Sequence, residues 1–245
     1  MSFSVVTCFH NRPVNLFRNC LKTLQWQTVQ PTEIILSDYS NPQNPEIKQL
    51  CKDYNIKYVF HNLKQPATTL ALNYFTWAIN AGIRQATGNR ILTTGTDYLF
   101  KEDVFSLILK AYENHPKTLI LAPAYDLKFV PTKISKESFN SYWRRAERKS
   151  RGQAITCTDK EWLFKIRGYD QRLWRGEDED LIRRAMLDQK KTIRLNPEEC
   201  LIFHQPHRHS RKQYADWRNE KDKVFFKIYK EQTVIRNDEN WGLMK

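Results

Sequence analysis

Short apolar runs recur through the first half of the chain. Each is closed by polar residues and set apart from the next by a stretch with helical spacing. Phe3, Val5, Val6, Cys8 and Phe9 run into His10-Asn11-Arg12-Pro13, and Ile34-Ile35-Leu36 into Ser37-Asp38. Residues 56–60 form a third run, and residues 90–94 a fourth that stops at Gly95-Thr96-Asp97. Between them Leu16, Phe17, Cys20, Leu21 and Leu24 repeat at the 3.6-residue period, and residues 46–54, 70–85 and 101–114 read as further helices. Ala86-Thr87-Gly88 closes the third helix, with Gly88 as the expected left-handed cap. Strands separated by helices predict an α/β fold with a parallel sheet covered on both faces and ligands beyond the carboxyl ends of its strands. Polar residues that end strands therefore become site candidates.

After a strand at 118–122 the alternation stops. Residues 126–160 are less regular. The basic, aromatic segment from Tyr142 to Gly152 reads as an exposed helix or a loop, the loop beside the site being preferred, residues 161–166 as a strand or its approach, and residues 180–187 as a helix. Residues 201–203 read as a short strand and 213–230 as a charged helix. The net charge of +13 predicts attraction to polyanions such as nucleic acid, an anionic membrane surface or a phosphate-bearing substrate. Five widely spaced Cys without a CxxC pair argue against a disulfide framework or a zinc cluster. With 18 consecutive apolar residues nowhere present, a spanning helix is excluded, and the expectation is a cytoplasmic chain of a bacterial or virus-infected cell, with peripheral membrane association open.

Two segments carry most of the chemistry. Glu177-Asp178-Glu179-Asp180 crowds four carboxylates, and mutual repulsion raises the pKa of some of them, which suits a base that takes a proton from a hydroxyl. Glu179 and Asp180 are also expected to favour a helix start through the macrodipole. In Phe203-His204-Gln205-Pro206-His207-Arg208-His209 an imidazole follows a short strand, and imidazole is a good ligand for manganese-like or zinc-like ions.

Taken in order, Val5-Val6-Thr7-Cys8-Phe9-His10-Asn11-Arg12, Ile34-Ile35-Leu36-Ser37-Asp38-Tyr39-Ser40, the run from Asn80 to Gly88, Thr94-Gly95-Thr96-Asp97 and Arg167-Gly168-Tyr169-Asp170 with Leu173-Trp174-Arg175-Gly176-Glu177-Asp178 resemble glycosyltransferase family 2. The last segment is also similar to that of the β-1,4-galactosyltransferases. The resemblance, over residues 1–210, implies a GT-A fold with a mostly parallel central sheet flanked by helices, in one catalytic domain spanning 1–245. Its parts would be a nucleotide-binding half (1–122), an acceptor and catalytic half (123–212) and a C-terminal helical extension (213–245). It implies an inverting transfer from a nucleotide-diphosphate sugar, a UDP-sugar first, to a hydroxyl of a glycan acceptor. Thr7, Asp38, Asn80, Asp97 and Arg208 would contact the donor, Trp174 and Gly176 would line the sugar and acceptor pocket, Glu177 would bind acceptor hydroxyls, and Asp178 would be the base. Asp97 and His204 would hold Mn2+ or Mg2+, while His207 and His209 are candidates for the diphosphate. Ser37 and Gly95 stand where the family carries Asp, and Tyr39 where it carries Gly. Two alternatives stay open: transfer to hydroxymethylated bases of DNA, with Arg144, Arg145, Arg148, Lys149 and Arg151 on phosphates and Tyr142 and Trp143 stacking on bases, or a non-catalytic nucleic-acid or carbohydrate binder on a degenerate transferase fold. The enzymatic reading requires Asp97 and His204 to meet beside Glu177 and Asp178.

Overall fold

A computed structural model describes residues 2–62, 74–173, 176–207, 223 and 225–243. Four strands, β1 (Phe3–Phe9), β2 (Glu33–Asp38), β3 (Lys57–Phe60) and β4 (Arg90–Gly95), lie parallel in the order β3-β2-β1-β4. Helices α1 (Val14–Gln25), α2 (Pro45–Asp53) and α3 (Tyr74–Gln85) connect them, as the alternation predicts. Every residue of β1 is buried, the mark of a strand covered on both faces. Phe3, Val5 and Phe9 point into a core with Phe17 and Leu21 of α1 and Ile47 of α2. Val6 and Cys8 point the other way, onto Ala78, Ile79 and Ile83 of α3. Each such aliphatic side chain, fully buried, contributes about 1.5–3 kcal/mol to holding these layers together.

The sheet as a whole is mixed. After β5 (Tyr98–Phe100), α4 (Val104–Asn114) and β6 (Leu119–Asp126), the segment read as a helix or, preferably, a loop contributes its first residues to helix α5 (Ser138–Arg145) and the rest to the 13-residue strand β7 (Glu147–Asp159). β7 inserts antiparallel between β4 and β6. Its first half is rich in Lys and Arg and so carries no apolar alternation, whereas Ala154, Ile155 and Cys157 further along are core residues. Residues 161–166 are not a strand: α6 (Lys160–Lys165) is helical, because Trp162, Leu163 and Ile166 share one helix face against the core. Helix α7 (Glu177–Leu187), β8 (Thr192–Arg194) and β9 (Ile202–His204) follow, with β8 and β9 both parallel to β6 and β5 antiparallel to β9.

Tyr142 is buried and Trp143 half-buried. Tyr142 is buried against Phe139 and Phe203 and its hydroxyl donates to the carbonyl of Lys133, while Trp143 packs edge-on to Tyr125. Arg144 and Arg145 are exposed, and the side chains of Arg148, Lys149 and Arg151 lie outside the described ones. Gly88 does not take the left-handed conformation. It is glycine because β1 passes against it: a Cβ there would stand 2.7 Å from the Phe3 carbonyl carbon and the Ser4 nitrogen. Residues 225–229 are helical, and most of the helix expected over 213–230 lies outside the described residues. Trp241 then returns to the core against Phe164. Among the described residues no helix is long and apolar enough to cross a membrane.

Candidate active site

The carboxyl ends of β1 and β4 open on a cavity of about 400 Å³, large enough to hold a substantial part of a small-molecule substrate. Asp97 stands on its wall, in the two-residue turn between β4 and β5. The antiparallel register of β5 and β9 sets Tyr98 beside His204, and the Gln205 N–H donates to the Asp97 carbonyl at 2.9 Å. His204 Nε2 lies 3.6 Å from Asp97 Oδ2 and His207 Nε2 3.0 Å from it. Glu177 and Asp178, at the start of α7, line the same cavity. Asp97, His204, Glu177 and Asp178 thus share one cleft, as the enzymatic reading requires.

Burial alone would raise the pKa of Asp97, but hydrogen bonds from His204 and His207 and the charges of His204 and Arg12 outweigh it and hold the carboxyl far below its ordinary range. His204 is governed by the same balance. Burial disfavours its charged form, yet contacts to Asp97 and Asp126 raise its pKa overall. Asp126 is the residue the sequence reading missed. It ends β6, and the parallel β6–β9 register sets it beside His204, whose Nδ1 donates to Asp126 Oδ1 at 2.9 Å. That bond leaves Nε2 as the nitrogen facing Asp97, the outer-shell arrangement that fixes a ligating imidazole.

One carboxylate oxygen and two imidazole nitrogens, from Asp97, His204 and His207, lie within 4.8 Å of one another. This mixed O/N set could hold a divalent transition-metal ion. Gly95 occupies the place of the family's first Asp, and a Cβ there would meet Asp97 Oδ1 and the Tyr98 ring at 2.9 Å. His207, read from the sequence as a candidate for the diphosphate, is the third potential donor in this crowded corner.

Gly176 precedes α7 in the left-handed conformation, φ 75° and ψ 17°, with its Cα hydrogens against the Phe225 ring. Gly176 thus packs against Phe225, next to the cavity residue Glu177. Trp174 and Arg208 lie outside the described residues, as does His209. Asp178 is half-buried, and its pKa is raised by burial first and then by the charges of Glu177 and Glu179. Three hydroxyls unforeseen from the sequence form the floor. Tyr169 Oη lies 2.7 Å from both Thr93 Oγ1 and Thr156 Oγ1, and the two threonine oxygens are 2.6 Å apart.

The remaining expected donor residues sit beneath the cavity rather than in its wall. Asp38 is wholly buried, one oxygen accepting from Ser40 N–H (2.8 Å) and the other from the Tyr58 hydroxyl (2.6 Å). Thr7 is buried on the same side of the sheet, while its neighbour Cys8 reaches the cavity. Asn80 is spent on structure: its Nδ2 donates to the Tyr169 carbonyl and its Oδ1 accepts the Tyr169 N–H, both at 2.8 Å. Asp180, foreseen as a helix-start charge, is instead fully buried in an ion pair with Arg184 at 2.7 Å.

This architecture is that of the GT-A glycosyltransferases. The chain belongs to glycosyltransferase family 2, whose model, Glycosyl transferase family 2, matches residues 4–173. Structures of S. aureus TarS share the fold. The one described as the crystal structure of TarS aligns at TM-score 0.60 and 16% identity, over 84% of this chain and 37% of that one. TarS 1-349 in complex with UDP-GlcNAc aligns at 0.61 and 14%, over 88% and 61%, and its complex with UDP at 0.55 and 17%, over 81% and 62%. The chain thus spans less than two thirds of each of these TarS chains. A comparison with curated protein sequences gives no significant match.

Proposed function

We propose that this chain transfers a sugar from a UDP-sugar to a hydroxyl of a glycan acceptor with inversion at the anomeric carbon. The observation that carries the reading is the shared cleft: an Asp–His–His donor set and a carboxylate of raised pKa line one cavity. Asp178 accepts the proton of the acceptor hydroxyl. The oxygen forms its bond to the anomeric carbon as the bond from that carbon to the diphosphate oxygen breaks, and UDP leaves. Glu177 orients the acceptor through its hydroxyls. Asp97, His204 and His207 are the residues that would hold Mn2+ or Mg2+, which when bound supplies positive charge to the departing diphosphate. The structures of TarS with UDP and UDP-GlcNAc support a uridine donor. A DNA acceptor loses Tyr142 of its stacking pair to the core and Trp143 in part, so the glycan acceptor is preferred.

The test is nucleotide release from UDP-GlcNAc, UDP-galactose and UDP-glucose with Mn2+ and no acceptor. We expect slow UDP formation from at least one donor and its loss in EDTA. Neither release nor binding of any UDP-sugar would leave the chain a binder of something else.

The pH dependence of kcat is a second check. Asp178 works only when ionised, and burial and its acidic neighbours raise its pKa. Activity is therefore lost as pH falls through a value above the ordinary Asp value of about 4. Glu177→Gln removes one of the neighbouring charges and is expected to move this acidic limb to lower pH. A limb that stays put would separate the titrating group from Asp178.

A further inference from the structure

Arg12 is the cavity residue to which neither the fold nor the mechanism above gives a task. It follows an abrupt turn out of β1, where Asn11 takes φ 46° and donates its N–H to Ser40 Oγ at 3.1 Å. Asn is among the few residues that adopt this left-handed conformation readily. Arg12 lines the cavity, with Nε 3.7 Å from Asp97 Oδ2 and Nη1 2.9 Å from His207 Nδ1.

The second contact fixes a proton. A guanidinium has only N–H donors, so His207 Nδ1 accepts from Arg12 and is bare. The neutral ring then carries its hydrogen on Nε2, which donates to Asp97 at 3.0 Å. In this state the Nε2 lone pair is unavailable to a metal. To ligate through Nε2, His207 must move that proton to Nδ1 through solvent, with no net gain or loss of charge, and an Nδ1–H would then abut the Arg12 N–H. Ligation by His207 Nε2 and the Arg12–His207 bond exclude one another. The guanidinium charge beside Asp97 also repels a divalent ion at the same carboxylate.

We propose that Arg12 is the resident cation of the free enzyme. It occupies the Asp97–His207 corner until a divalent ion enters, and then turns from that corner onto the diphosphate of the donor. Its side chain is 36% exposed, so the guanidinium moves within the cavity mouth without leaving a buried position. Its planar fork matches phosphate oxygens in a bidentate manner. Arg12 is thus a positioning residue that couples entry of the ion to capture of the donor. This rests on the Asp–His–His site being the cation site of the proposed transferase.

The experiment is calorimetric titration of MnCl2 into the full chain without donor, comparing wild type with Arg12→Gln, Arg12→Lys and His207→Ala, each checked for native circular dichroism. A second titration adds UDP to the Mn2+-saturated proteins. Coupling between sites of this kind is commonly 5- to 150-fold. Arg12→Gln is expected to bind Mn2+ about tenfold more tightly than wild type and UDP about tenfold more weakly. Arg12→Lys should lie between, and in a His207→Ala background Arg12→Gln should lose most of its effect on Mn2+. Unchanged or weaker Mn2+ binding by Arg12→Gln overturns the proposal and leaves the transferase reading intact. Mn2+ binding to none of the proteins, with UDP-sugar turnover persisting in EDTA, overturns both this proposal and the cation site.

Discussion

Asp178→Asn is expected to abolish the proposed transfer while leaving binding of the UDP-sugar intact. The amide keeps the shape of the carboxylate but cannot take the acceptor's proton, and loss of a general base costs about 10²- to 10⁴-fold in rate. The loss should fall on kcat, with KM for the donor nearly unchanged, because Asp97, His204 and His207 are untouched. Stability should move the opposite way. Ionised Asp178 is desolvated and repelled by Glu177 and Glu179, so the neutral amide relieves a cost that the folded chain otherwise carries. A variant that folds as well as wild type, or slightly better, and is inactive marks a residue kept for chemistry. Steady-state kinetics alongside thermal unfolding makes the distinction, and retention of more than a few per cent of the wild-type rate would remove Asp178 from the role.

The sequence made some of this legible because the chemistry sits at element ends. Asp97 follows a strand, His204 ends one, and Glu177 and Asp178 open a helix, so each announces itself as a polar residue closing or starting an apolar pattern. Asp126 obeys the same rule, but its meaning lies in a partner 78 positions away, and that pairing exists only once β6 and β9 are known to run parallel in register. Thr7 and Asp38 stand near the strand ends that the sequence marks, but which sheet face buries their side chains is not written there. In an amphipathic strand alternation tells inside from outside, but β1 is buried on both sides, so the sequence carries no parity signal to distinguish Thr7 from Cys8. β7 was hidden for the converse reason, since its basic first half lacks the pattern that marks a strand. The crowding around Gly95, and with it the need for His207, belongs to three-dimensional proximity alone.

Asp180→Ala, two positions from the proposed base, is expected to unfold the protein rather than slow it. Asp180 and Arg184 are both wholly buried, joined at 2.7 Å, with Arg236 3.8 Å from the second carboxylate oxygen. Arg184 also donates to the carbonyls of Gly168 (2.7 Å) and Ile166 (3.3 Å). It thereby holds the turn in which Arg167 and Gly168 take positive φ, just before the floor residue Tyr169. Burial raises the pKa of Asp180 and lowers that of Arg184 even against their mutual attraction, so desolvation dominates the pair. Removing the carboxylate alone strands a guanidinium in the core, which costs about 3–5 kcal/mol. Replacing both partners by apolar residues, Asp180→Leu with Arg184→Met, removes the stranded charge and should be markedly less damaging than the sum of the single changes. Denaturant unfolding of the two single variants and the double variant reads this directly. If Asp180→Ala lowers stability by less than about 1 kcal/mol, the pair is not what fixes the turn beneath the cavity.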